Sequence, residues 1–363
     1  MNIDEKLNNI GRRKFLRTTG ATATAIGLSN LMGAAYAQAG LQRPSADDLN
    51  PRRFKTHFAP VGDGLELAYV REGIGGVPLV LLHGWPSSKR LFWRNIAPLA
   101  SAGFEVIVPD QRGIGESPVP SDPRSYVSIS RSSVDVRNLL AHLGHERAVL
   151  VGGDFGCGVV QDMSNRFPGL AIRQVAYNGP SPVLPELFRE AGISGDQISE
   201  VMAVSDHITE NGLHADALME RYNTSKKRQD FIAAHHLERV FKAGGPVAHL
   251  AAPGSFTTES AAFMAEDYAD AAHFRAALGW YEAALKPELG AAPPMLAQVG
   301  QTETLILYAA EDRILGPKFM DRMRVAYPRH VGPFVVPGSG HFMAWERPDV
   351  FNTALISFCR DLI

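Results

Sequence analysis

The chain has little cysteine: two residues, Cys157 and Cys359, in 363. Two thiols this far apart make no disulfide framework, and both read as small buried hydrophobes. Charge of one sign is missing too. Thirty-six basic and 38 acidic residues leave a net charge of −2. No basic field is available to recruit nucleic acid. No cluster of ligating side chains has the spacing of a metal site. The pair His235-His236 is adjacent, and adjacent positions do not share a helix face. Beyond the N-terminus no stretch is apolar enough to span a membrane, and there is no internal repeat. What remains is 45% hydrophobic and 20% charged. That is an ordinary globular composition, long enough for one large domain with an inserted subdomain.

The N-terminus is set apart. Arg12-Arg13-Lys14-Phe15-Leu16 opens a weakly apolar stretch of small residues that ends in Ala35-Tyr36-Ala37. It is similar to a bacterial twin-arginine export signal, cleaved after Ala37 or Ala39. The stretch is rich in Thr, Gly and Ala, too weakly apolar for the ~20 residues of a stable span. Removing residues 1–37 takes away five basic and two acidic residues, which brings the mature chain to −5. The expected location is the periplasm or the medium, and the expected partner is the twin-arginine export machinery. Residues 38–53 read as a polar linker.

Residues 65–70 alternate as a half-buried strand does. Apolar runs predict further strands at 77–82, 104–108, 148–151, 172–177, 304–308 and 334–336. A helix is expected over 130–143, with Val134, Leu139, Leu140 and Leu143 as its apolar positions. A last amphipathic helix is expected over 348–363. Interleaved strands and helices predict a mostly parallel sheet covered on both faces. The alternation breaks at 181–294, which is helical in character. This segment is expected to cap the carboxyl edge of the strands, where such sheets bind ligands. The core is then 54–180 and 295–363, with Pro293-Pro294 marking the return. Lys226-Lys227-Arg228 reads as a solvated helix face.

The most informative turn is Gly152-Gly153-Asp154-Phe155-Gly156, between the strand at 148–151 and a helix start. It has the layout of a nucleophile elbow, with Asp where Ser usually stands. A carboxylate is ionised at neutral pH and needs no base before it attacks. It suits displacement at a saturated carbon, giving an ester that water then cleaves. Asp312 and His341 each follow a later strand. With Asp154 they fall in the order nucleophile, acid, base.

Together these segments resemble the epoxide hydrolase and haloalkane dehalogenase group of the α/β-hydrolase superfamily. The resemblance rests on His83-Gly84-Trp85-Pro86, on Asp110-Gln111-Arg112-Gly113-Ile114-Gly115-Glu116-Ser117, on Gly153-Asp154-Phe155-Gly156, and on Gly340-His341-Phe342 followed by Trp345-Glu346-Arg347-Pro348. It implies the α/β-hydrolase fold with an inserted helical cap and no metal or organic cofactor. It implies Asp154 as nucleophile, and His341 as the base that activates water against the Asp154 ester. Asp312 would orient the imidazole. The backbone N–H groups of Trp85 and Phe155 would form the oxyanion hole, with a cis Trp85–Pro86 bond. Asp110 and Arg112 read as structural.

Leaving groups separate the reactions. Dehalogenases of the group usually place Trp after the nucleophile, and Phe155 has no side-chain donor. Trp85 and Trp280 are the remaining indole donors. Epoxide opening needs a proton for the alkoxide, and the segment 274–282 is similar to the cap segment that carries such a tyrosine, here Tyr281. For a second donor the candidates are Tyr222, His235, His236 and Tyr268. Asn178 stands where some relatives place the triad acid, a role Asn cannot fill; it either hydrogen-bonds near His341 or caps its turn. The favoured expectation is hydrolysis of an apolar organic epoxide to a diol, since the cap is apolar and bears Met202, Met219 and Met264. The alternatives are a haloalkane or haloacid dehalogenase, an ester or lactone hydrolase, and a non-catalytic binding protein.

Overall fold

Eight strands form one sheet, and every turn singled out above lies at its carboxyl edge. The computed structural model describes residues 43–237, 250–289, 292–316 and 318–363. The expected export signal and residues 38–42 lie outside them. The strands are β1 (Thr56–Gly62), β2 (Leu65–Glu72), β3 (Val77–Leu82), β4 (Phe104–Pro109), β5 (Ala148–Gly153), β6 (Ala171–Tyr177), β7 (Thr304–Ala309) and β8 (His330–Val336). Their order across the sheet is β1-β2-β4-β3-β5-β6-β7-β8. β1 and β2 pair antiparallel, as do β2 and β4, and all other pairs are parallel. β5 is buried along its whole length, as a central strand covered on both faces must be. Cys157 and Cys359 are buried and free.

Two strands exceed their sequence patterns. β1 is absent from the strands expected above, and it carries Pro60. The proline is accommodated on an edge strand at a register shift between Pro60 and Gly62. β8 starts four residues before the apolar run, and Gly332-Pro333 sits inside it on the opposite edge. Residues 43–55 carry no strand or helix, but they are not detached. Trp93 Nε1 donates to Asn50 O at 2.9 Å, and the Phe54 ring meets Trp93 edge-on.

Helices cover both faces: α1 (Ile96–Ser101), α2 (Ile129–His142) and α3 (Phe155–Arg166) precede the cap. α2 corrects one expectation. Val134 is 41% exposed, and the buried stripe is Ser132, Ser133, Val136, Leu139 and Leu140. Serines serve there because α2 packs closely on α3: Ser133 Oγ donates to Val159 O at 3.3 Å.

Between β6 and β7 the described residues contain no strand. They form α4 (Pro185–Glu190), α5 (Gln197–Val204), α6 (His207–Leu213), α7 (Ala215–Arg221), α8 (Ser225–Leu237), α9 (Thr258–Ala265), α10 (Ala271–Ala277) and α11 (Gly279–Leu285). Among the described residues no helix is long and apolar enough to cross a membrane. The basic triplet is only partly solvated. Lys226 and Lys227 are exposed, but Arg228 is buried and donates to Tyr222 O and Ala269 O, tying α8 to the turn before α10. After β7 come α12 (Lys318–Ala326), α13 (Met343–Glu346) and α14 (Pro348–Phe358).

The turn after β5 leaves no room for side chains on either side of Asp154. A Cβ at Gly152 would lie 2.1 Å from Gly156 O, and one at Gly156 would lie 2.2 Å from Leu82 O. Both obstacles are backbone and cannot swing away. Gly152→Val is therefore expected to lower stability by about 3 kcal/mol, the upper end for overpacking. A thermal melt unchanged from wild type would contradict this packing.

Candidate active site

Asp154 stands at φ +50° and ψ −132°, a conformation side chains other than glycine rarely adopt. Such a turn costs on the order of 1–3 kcal/mol and must be held by its surroundings. Its own N–H donates to Asn178 O at 3.1 Å. The neighbouring loop comes so close that a Cβ at Gly84 would lie 2.0 Å from Asp154 Oδ1. The next residue uses that proximity: Trp85 N donates to Asp154 Oδ1 at 2.8 Å. The Trp85–Pro86 bond is cis. Phe155 opens α3, so its N–H is one of the four at a helix start that have no partner within the helix. Asp154 is thus a carboxylate with one oxygen on a backbone donor and a quarter of its side chain exposed.

His341 faces the other oxygen. Its Nε2 lies 3.2 Å from Asp154 Oδ2, and its Nδ1 lies 2.8 Å from Asp312 Oδ2. Carboxylates only accept, so both ring nitrogens carry protons in this arrangement. Burial works against that charge, but Asp312 and Asp154 outweigh it and hold the imidazole pKa up at about 10. Asp312 is fixed by Ile314 N and Leu315 N, which donate to its Oδ1 at 2.9 and 3.0 Å. Asn178 bridges the strand ends. Its Nδ2 donates to Gly340 O at 3.1 Å, and its Oδ1 accepts from Ala309 N at 2.9 Å. Of the two readings of Asn178, the hydrogen bond beside His341 is the one observed.

Rings from the cap close over this centre. Trp280 stacks on Phe155 with centroids 4.8 Å apart. Tyr281 meets Phe155 and Trp85 edge-on at 5.0 and 5.3 Å. His235 meets Trp85 edge-on at 4.6 Å. His236 stacks on Phe342 at 4.4 Å, and its Nδ1 faces Ile232 O. Burial, with the nearby His341 charge, pushes His236 down to about 4 and keeps it neutral. Two further candidates make other contacts. Tyr222 packs on Phe231 and Phe274, and Tyr268 donates its hydroxyl to Ser87 O. His207 was missed by the sequence reading. It lies parallel to Trp85 at 6.1 Å and edge-on to Tyr281 at 5.5 Å, with Ser205 Oγ against its Nδ1. No periodicity marks it, because a single buried histidine in a cap helix carries no motif.

The loops behind the site are tied by buried charge. Arg112 forks onto Asp135 at 2.5 and 2.6 Å, and Asp110 accepts from Lys89 N, Lys89 Nζ and Glu116 N. These are the structural roles expected of Asp110 and Arg112. Beside Asp154 and His341 the free space amounts to about 10 Å³ for the centre of a water-sized sphere, bordered by Trp85, Tyr177 and Phe342. That is room for about one water. Among the described residues no group of His, Cys, Asp and Glu is placed to hold a metal ion.

Residues 77–348 match the alpha/beta hydrolase fold family. Among known proteins, the soluble epoxide hydrolase of Corynebacterium sp. (strain C12) is 41% identical over 104 residues. That match covers 29% of this chain and 35% of the relative, about a third of its length. The AB hydrolase superfamily protein YfhM of Bacillus subtilis (strain 168) is 25% identical over 82% of this chain and 96% of its own. The crystal structure of epoxide hydrolase A from Mycobacterium thermoresistibile superimposes with a TM-score of 0.65 at 25% identity, over 85% of this chain and 99% of that one.

The His341 charge has a consequence for stability. Its folded pKa lies above the ordinary 6.5, so its contribution is fully present below about 6.5 and is lost as pH rises through about 10. Melts of the wild type are expected to fall across that window more steeply than those of His341→Gln. Parallel pH dependences would show that the imidazole is not held charged.

Proposed function

The chain belongs to the alpha/beta hydrolase fold family and is a hydrolase; from that premise we propose that it opens an apolar organic epoxide to a diol through an ester on Asp154. The observation that carries the reading is the pair of contacts on one carboxylate, Trp85 N on Oδ1 and His341 Nε2 on Oδ2. The relatives named for epoxide hydrolysis support the substrate class.

In the first step an Asp154 oxygen attacks a ring carbon of the epoxide. The carbon–oxygen bond breaks, and the alkoxide takes a proton from the Tyr281 hydroxyl, with His207 and His235 in the same ring cluster. Esterification removes the Asp154 charge, one of the two that hold His341 protonated. The imidazolium then passes its proton to the Tyr281 phenolate, which restores the hydroxyl and leaves His341 as a base. In the second step His341 takes a proton from water, and the hydroxide attacks the ester carbonyl. The Trp85 N–H, with that of Phe155, receives the oxyanion that forms. Collapse breaks the bond between the acyl carbon and the diol oxygen, His341 protonates the departing alkoxide, and the Asp154 carboxyl proton passes to the imidazole, which restores the carboxylate and the imidazolium. Asp312 stays ionised and orients the ring.

One observation favours a second reading, dehalogenation. Among the described residues the buried indole N–H groups of Trp85 and Trp280 have no hydrogen-bond partner, and an unpaired buried donor suits a halide. Both rings belong to the cluster around Phe155. We place the enzyme's work in the periplasm or outside the cell, on the strength of Arg12-Arg13 and the Ala-Tyr-Ala site. Replacing both arginines by lysine is expected to keep the protein in the cytoplasm; unchanged export would remove that placement.

The reaction is tested by offering styrene oxide and 1-bromobutane to the wild type and to Asp154→Ala. Diol from the wild type, with a loss of about 10⁴-fold or more in the variant, is the expected result. Bromide instead of diol moves the assignment to the tryptophan pair.

A further inference from the structure

One buried carboxylate that the proposed mechanism does not use fastens the loop carrying the base. Glu346 is 2% exposed. Its Oε2 accepts from Gly340 N and from Ala252 N, both at 2.8 Å, and its Oε1 accepts from Phe342 N at 2.8 Å. Gly340 and Phe342 flank His341. Ala252 lies in the cap segment between α8 and α9, and that segment grips the same loop a second time: His341 N donates to Leu250 O at 2.7 Å. The fit admits no side chain, since a Cβ at Gly340 would lie 2.3 Å from Ala252 N. Without the carboxylate, three backbone donors would be left buried with no acceptor.

We propose that Glu346 is a positioning residue for ester hydrolysis, locking the backbone on both sides of His341 to the cap segment 250–255. The proposal rests on the reading of Asp154 as the nucleophile. Ester formation uses the Asp154 carboxylate and needs no base. Ester hydrolysis needs Nε2 within hydrogen-bond reach of the attacking water. A displaced His341 loop therefore slows the second step and spares the first. A residue that only packed would reduce the folded fraction and leave the ratio of the two steps alone.

The test uses the full chain and styrene oxide in single turnover, with ester formation and decay followed by intact mass after rapid quench. Glu346→Gln turns an NH₂ group toward at least one of the three backbone donors. Glu346→Asp keeps the carboxyl group on a shorter arm. His341→Gln is the reference that must accumulate ester if Asp154 is the nucleophile. Leu355→Ala, a fully buried position in α14, supplies loss of stability away from the loop. The expected result for Glu346→Gln is ester decay slowed by about 100-fold, the order produced by a displacement of about 1 Å, with ester formation barely changed. Glu346→Asp falls between the two, and Leu355→Ala melts earlier without accumulating ester. Should Glu346→Gln be insoluble, Glu346→Asp carries the same split on its own. Equal slowing of both steps, no slowing, or ester accumulation in Leu355→Ala overturns the assignment. Absence of ester in His341→Gln overturns the Asp154 reading itself, and this assignment with it.

Discussion

A carboxylate held at positive φ between two glycines is the constraint on which the rest of the molecule depends. Asp154 keeps that conformation because Gly152 and Gly156 pass their neighbours' backbone at distances no Cβ tolerates, and because its N–H is tied to Asn178 O. The turn lies at the carboxyl end of one of the two central strands. From there Oδ1 reaches the loop after β3, and Oδ2 reaches the loop after β8. Three loops far apart in sequence are joined through one side chain. The sheet order puts their strands at the right separations, and the buried Asp110 and Arg112 pairs keep the loop after β4 from moving.

Electrostatics then gives the site a direction. Two carboxylates hold His341 charged, but only one of them is consumed in the proposed reaction. Esterification of Asp154 is thus itself the event that turns an imidazolium into a base. That conversion draws on the loss of one charge 3.2 Å away, while Asp312 remains. The cap contributes aromatic rings to the centre, and the space beside Asp154 and His341 holds about one water. Neutral His236 beside His341 fits the same pattern, in which burial keeps uncompensated charge out.

Much of this was legible in the chain, and for physical reasons. Central strands read clearly because burial on both faces makes them continuously apolar. The triad positions read clearly because each follows the carboxyl end of a strand, Asp154 and His341 in glycine-rich sequence. Edge strands read poorly: β1 and β8 contain Pro60 and Pro333, which an edge tolerates and a pattern search rejects. Val134 misled because small serines, not apolar residues, line the close contact between α2 and α3. Arg228 looked like one more surface cation, although its guanidinium serves two backbone carbonyls. The cap was the least legible. Tyr281 is read from likeness to a known segment, whereas the place of His207 in the ring cluster and the packing of Tyr222 on Phe231 and Phe274 depend on how short helices pack, which no local pattern encodes.

The central claim is that Asp154 bonds to the substrate and that water attacks the enzyme rather than the epoxide. One turnover in H₂¹⁸O, with enzyme in excess over styrene oxide, tests it directly. The account predicts ¹⁸O in the peptide containing Asp154 and none in the first diol released. Heavy oxygen in that diol, with an unlabelled Asp154 peptide, would mean direct attack by water and would contradict it.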